Sequence, residues 1–119
     1  RCPSSGIVLF STVAVQRGMA FHAGVAAAKG AVEGLTRSLS AELAPVVRVN
    51  CIAPGLTRTG LSERLLNTPE KEKASADRHP MKRVGEPDDI AAMAQFLLSK
   101  EATWITGQVF GVDGGMSTI

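Results

Sequence analysis

The chain is 119 residues long, 45% apolar and 20% charged, with a formal net charge of +2 and a pI near 8.8. That length supports one domain with a modest core, and the small, scattered excess of Lys and Arg excludes a nucleic-acid track. No apolar run nears the roughly 18 residues of a membrane span, no signal-peptide layout opens the chain, and Cys2 and Cys51 fit no zinc or redox spacing, so free thiols, a reducing compartment and a cytoplasmic location are expected.

"GIVLFST", residues 6–12, is a continuous apolar run between turn residues, the mark of a parallel-sheet strand buried on both faces. It begins within six residues of Arg1, which is not a methionine, so the chain is expected to be a piece of a longer one. Residues 26–44 predict a helix, because Ala31, Leu35, Leu39 and Leu43 recur four apart along one face until Pro45 stops it. Gly30 and Gly34 each weaken a helix by about 1 kcal/mol relative to Ala, which points to close packing against another helix. "VVRVNCIAP", 46–54, predicts a second, mostly buried strand with Cys51 as a small core residue, and Pro54-Gly55 turns the chain away from the sheet.

Residues 59–83 carry the weakest pattern and read as a lid or surface segment. A short helix is expected near 61–66 and another over the mixed-sign run Glu70-Lys71-Glu72-Lys73, whose alternation suits a solvated face. His79, in this segment, is expected at the surface. Pro87 suits a first helical position, Asp88 and Asp89 favour the helix dipole, and Ile90, Met93, Ala94 and Leu97 form an apolar stripe running to about Ser99. "GQVFGVDGG" predicts a strand over 108–112 closed by an Asp113-Gly114-Gly115 turn, while Trp104, Ile105 and Phe110 read as core or interface residues.

The order β-α-β-(irregular)-α-β, without internal repeat, predicts an α/β fold: three parallel strands with flanking helices, joined by right-handed crossovers, forming part of a doubly wound sheet. Residues 1–119 then make a single partial domain. In such sheets ligands bind beyond the carboxyl ends of the strands, here residues 11–13, 53–59 and 113–115.

Five segments in this order and spacing, "GIVLFSTVA", "AAAKGAVEGLTRSLSAELAP", "RVNCIAPGLTRT", "RVGEPDDIAAMAQFLLS" and "WITGQVFGVDGGMS", resemble the C-terminal half of the Rossmann-like short-chain dehydrogenase/reductase subunit, over essentially the whole chain. The resemblance implies hydride transfer between NAD or NADP and an alcohol or carbonyl through a Ser-Tyr-Lys core. In that core the serine holds the substrate oxygen and the tyrosine moves its proton. The lysine cation lowers the tyrosine pKa and binds the nicotinamide ribose. Lys29 falls at the lysine position, and Thr12, with Ser11 directly before it, at the serine position. One helical turn before Lys29, where the tyrosine belongs, stands Val25, and the chain contains no tyrosine at all. His22 is the only nearby side chain that titrates near neutrality; it reads either as a substitute acid or as a loosely bonded loop histidine.

Pro54, Gly55, Leu56, Thr57 and Thr59 match the family's Pro-Gly-x-x-x-Thr loop, which implies contacts to the nicotinamide carboxamide; without the resemblance the loop is an ordinary turn after a strand. The Gly-rich, phosphate-cradling turn of the family is not among these residues. The expectation is therefore an oxidoreductase-family fragment that is inactive alone and binds no cofactor by itself. The alternative is a non-catalytic binding or assembly module that keeps the fold, and a third reading is a reductase in which His22 or water replaces the tyrosine. The open edge of the first strand and the face of the 26–44 helix predict a homo-oligomer, most simply a dimer, with a small-molecule substrate and neither nucleic acid nor membrane as partner.

Overall fold

The computed structural model describes residues 5–119, so the free thiol expected at Cys2 lies outside the described residues. Strands β1 (Gly6–Phe10), β2 (Arg48–Pro54) and β3 (Val109–Val112) form one parallel sheet in the order β1-β2-β3, with Leu9 opposite Cys51 and Cys51 opposite Val109. Helices α1 (Val13–Gln16), α2 (Ala23–Leu43), α3 (Glu63–Leu66), α4 (Pro69–Asp77) and α5 (Pro87–Leu98) surround it. The α/β class and the parallel pairing of three strands agree with the sequence; α1, too short for a periodicity signal, was not foreseen.

Central β2 is buried from Arg48 to Ala53. Successive strand residues face opposite sides, so Val49, Cys51 and Ala53 point one way and Arg48, Asn50 and Ile52 the other. Cys51 meets Thr36 of α2, whereas Arg48 donates to the carbonyls of Leu97, at 2.8 Å, and Ser99, at 3.3 Å, where α5 ends. Helices α2 and α5 therefore cover opposite faces. The polar side chains of β2 are tied by hydrogen bonds where they are buried: Arg48 caps a helix end through its terminal nitrogens, and Asn50 donates to Ile105 O and accepts from Gln108 N at 3.0 and 3.1 Å, fixing the entry into β3.

Several expectations need correction. Strand β1 is not covered on both faces, since Ile7 and Phe10 are 40% and 43% exposed; it lies at the sheet edge with β2 as its one pairing partner among the described strands. Helix α2 starts three residues early and turns Glu33, Thr36 and Ser40 inward, leaving Ala31 and Leu35 exposed and Leu39 and Leu43 half-buried. Neither glycine marks the close packing expected: a Cβ on Gly30 would meet Val15 of α1 at an ordinary 3.9 Å, and one on Gly34 would meet nothing within 4 Å. Trp104 is fully exposed rather than packed in the core. Asp113 does close its turn as expected, accepting from the amides of Gly115 and Ser117, with Gly114 and Gly115 at φ +62° and +89° where glycine is favoured. No described helix is long and apolar enough to cross a membrane.

Candidate active site

Parallel pairing brings the carboxyl ends of the strands to one side of the sheet. There the loops after β1 and β2, with Leu61, Ser62, Leu65 and Arg78 of the 59–83 segment, enclose an open cleft of about 490 Å³. Seven of the residues singled out in the sequence line it: Thr12, His22, Pro54, Gly55, Leu56, Thr57 and Thr59. Ser11, Lys29 and Val25 do not.

Thr12 leaves β1 in extended conformation and caps α1, its hydroxyl accepting from Ala14 N at 3.4 Å. Ser11 is turned away and buried, donating to the carboxylate of Glu33, which also receives Gln16 Nε2 at 2.7 Å. Two donors compensate the burial of that carboxylate. Glu33 drew no attention in the sequence, although its place one turn after Lys29 puts it on the same helix face. Lys29 Nζ donates to Phe10 O at 3.3 Å, tying α2 to the end of β1. Val25, one turn earlier, is half-exposed. His22 precedes α2 and is half-buried; with Nδ1–H donating to Ala20 O at 2.7 Å, Nε2 is the nitrogen left to accept a proton.

The loop after β2 is held from several sides. Gly55 is required by close approach, because an added Cβ would lie 2.9 Å from Asp113 Cα and 3.0 Å from His79 Nε2. Leu56 N–H donates to His79 Nε2 at 3.3 Å, Gly85 N–H donates to Leu56 O at 2.8 Å, and Arg58 N–H donates to Gly85 O at 2.8 Å. The Ser62 hydroxyl donates to Thr57 O at 2.7 Å and accepts from Thr59 N at 2.9 Å. The Thr57 amide finds no partner among the described residues. An open amide beside the Thr59 hydroxyl offers a donor and a donor-acceptor, which fits a nicotinamide carboxamide.

His79 is not the surface residue expected. It is 2% exposed, and its Nδ1–H donates to Ser75 O at 2.9 Å while Nε2 receives the Leu56 amide, so one neutral tautomer joins α4 to the loop. The polar surroundings of His79 in sequence concealed this, because its partners are backbone groups 4 and 23 residues away. Arg58 adds a second tie, pairing with Glu72 of α4 at 2.8 Å and with Glu86 at 3.1 Å; the guanidinium holds the Glu72 carboxyl below the usual carboxylate range.

A family model described as enoyl-(acyl carrier protein) reductase matches residues 2–117. The 2-(S)-hydroxypropyl-CoM dehydrogenase 3 of Xanthobacter autotrophicus is 42% identical over 118 residues, which is 95% of this chain and 46% of that protein. Among solved structures, a short-chain dehydrogenase/reductase, glucose/ribitol dehydrogenase, from Brucella melitensis superposes with a TM-score of 0.88 at 38% identity, covering 96% of this chain and 46% of its own. ElxO with NADP bound gives 0.88 at 29% identity, covering 96% and 47%. The chain spans about half the length of the proteins it matches.

Proposed function

The chain belongs to the short-chain dehydrogenase/reductase family, and on that premise we propose that it forms the nicotinamide and substrate side of an NAD(P)-dependent oxidoreductase subunit acting on an alcohol or carbonyl. One observation carries this reading: Thr12, His22 and the Pro54-to-Thr59 loop line a single cleft at the carboxyl ends of the strands. Bound nicotinamide would supply or accept the hydride. The chain's own part is to hold the carboxamide at Thr57 and Thr59 and the substrate oxygen at Thr12. With Val25 at the tyrosine position no phenol is present to move the substrate proton, so this chain alone is proposed to be inactive.

The experiment is Val25→Tyr in the protein as its gene encodes it. Carbonyl-dependent oxidation of NADH or NADPH should appear or rise strongly. No gain in a folded, cofactor-binding variant overturns the catalytic reading and favours a non-catalytic module. A second reading is favoured by His22, whose bare Nε2 shares the cleft with Thr12. If it serves as the acid, any basal activity disappears in His22→Ala while the fold remains.

We also propose a homodimer. The surface is 7373 Å² for 12.5 kDa, against about 6,200 Å² for a compact monomer of that mass. Phe21, Val25 and Leu35 stand exposed on or just before α2. Sedimentation at micromolar concentration should give a dimer, and a well-folded monomer would refute it.

A further inference from the structure

The cleft does not end at the residues that face the nicotinamide loop. Met19, His22, Arg78 and Met116 line both it and an adjoining recess of about 430 Å³, into which Arg17 also faces. Together the two hollows present two guanidinium groups and an imidazole, and no carboxylate. Arg17 donates one N–H to Met116 O at 3.1 Å, which fixes its position and leaves the rest of its fork open. Arg78 makes no side-chain hydrogen bond or ion pair among the described residues. The contrast with a nearby hollow is informative, because there Arg58 and Arg83 are neutralised by Glu72, Glu86 and Asp89. Carboxylates are supplied on that side and withheld on this one.

Resting on the oxidoreductase reading of the cleft, we propose that its substrate carries, besides the carbonyl or alcohol held at Thr12, a terminal oxyanion received by Arg17 and Arg78. Guanidinium forks match carboxylate, sulfonate and phosphate oxygens with paired N–H groups. The flexible apolar side chains of Met19 and Met116 line both hollows and suit a short alkyl spacer. A neutral substrate would leave both guanidiniums to solvent alone, and a cationic one would be repelled.

The test is binding to the protein as its gene encodes it, by titration calorimetry, with acetoacetate, 4-oxopentanoate and 5-oxohexanoate, each against its methyl ester. At least one keto acid should bind, and its ester should bind at least about tenfold more weakly, as expected for loss of a charge-assisted contact. Arg17→Gln and Arg78→Gln should each weaken the acid by a similar factor, leave the ester unchanged and keep the melting temperature, since both side chains are exposed. Arg78→Lys should recover part of the loss. Equal binding of acid and ester, no binding of any acid, or indifference to both Gln variants overturns the proposal. The cofactor's phosphates are the rival source of an oxyanion, so displacement of the keto acid by saturating NADP would also overturn it. Binding needs no turnover. A keto acid held through the arginines by a protein that stays inactive after Val25→Tyr would uphold the subsite and sink the oxidoreductase reading.

Discussion

Replacing His79 by Leu removes two hydrogen bonds at nearly constant volume, and the structure shows which loss dominates. Ser75 O would keep a partner, because it also accepts from Arg78 N at 3.2 Å. The Leu56 amide would not: its acceptor is His79 Nε2, packed 3.0 Å from the position a Cβ would take on Gly55. Leaving this part-buried amide without its acceptor costs about 1–3 kcal/mol, and losing the second, replaceable bond adds about 1 kcal/mol. The expected destabilisation is then about 2–4 kcal/mol, a large share of the 5–15 kcal/mol typical of a domain. His79→Gln, whose side-chain oxygen can receive the Leu56 amide, should cost about 1 kcal/mol less. Urea unfolding gives the stabilities, and amide exchange localises the effect: residues 55–59 should lose protection in His79→Leu before β2 does. A Leu variant within about 0.5 kcal/mol of the parent, or protection lost equally in β2, would refute the assignment of His79 as the anchor of this loop.

Gly55→Ala should destabilise by about 1–3 kcal/mol, because its Cβ meets the Asp113 backbone at 2.9 Å and neither loop can move without disturbing the other; the urea midpoint checks this. Burial raises the Cys51 thiol pKa, so iodoacetamide at pH 8 should leave Cys51 unlabelled in the native protein and label it fully in urea, as read by peptide mass. Asp89 is pulled down to about 2 by the Arg83 guanidinium and the Glu86 amide, and a depressed folded pKa contributes stability above the unfolded value that fades as pH falls toward the folded one. Asp89→Asn should therefore lower the melting temperature near neutrality, with the difference closing between about pH 4 and pH 2.

The elements that could be read in the sequence are those whose signal is local. Pro87 with Asp88 and Asp89 marks the start of α5 because helix capping is settled within one turn: Glu86 N–H donates to Asp89 Oδ2 at 2.7 Å. The Pro54-to-Thr59 loop was legible as a motif, but what holds it was not, since Ser62, His79 and Gly85 reach it from later in the chain. Arg78 and Arg17 likewise meet at one recess though 61 positions separate them in the sequence, a pairing that no spacing rule encodes. Helix α2 shows the deeper limit. Its apolar period located the helix correctly, yet the side against the sheet carries Glu33, Thr36 and Ser40. Each finds a partner close at hand, Thr36 Oγ donating to Val32 O and Ser40 Oγ to Arg37 O at 2.8 Å, and Glu33 accepting from Ser11 and Gln16. Hydroxyls satisfied by their own helix are buried at little cost, so the polar stripe can face inward and leave Val25 and Leu35 on the outer side. Periodicity reports that two faces of a helix differ, not which face its own chain covers. Val25 and Leu35 are exposed apolar residues of this outer side, and they are the surface that the dimer proposed through α2 would bury.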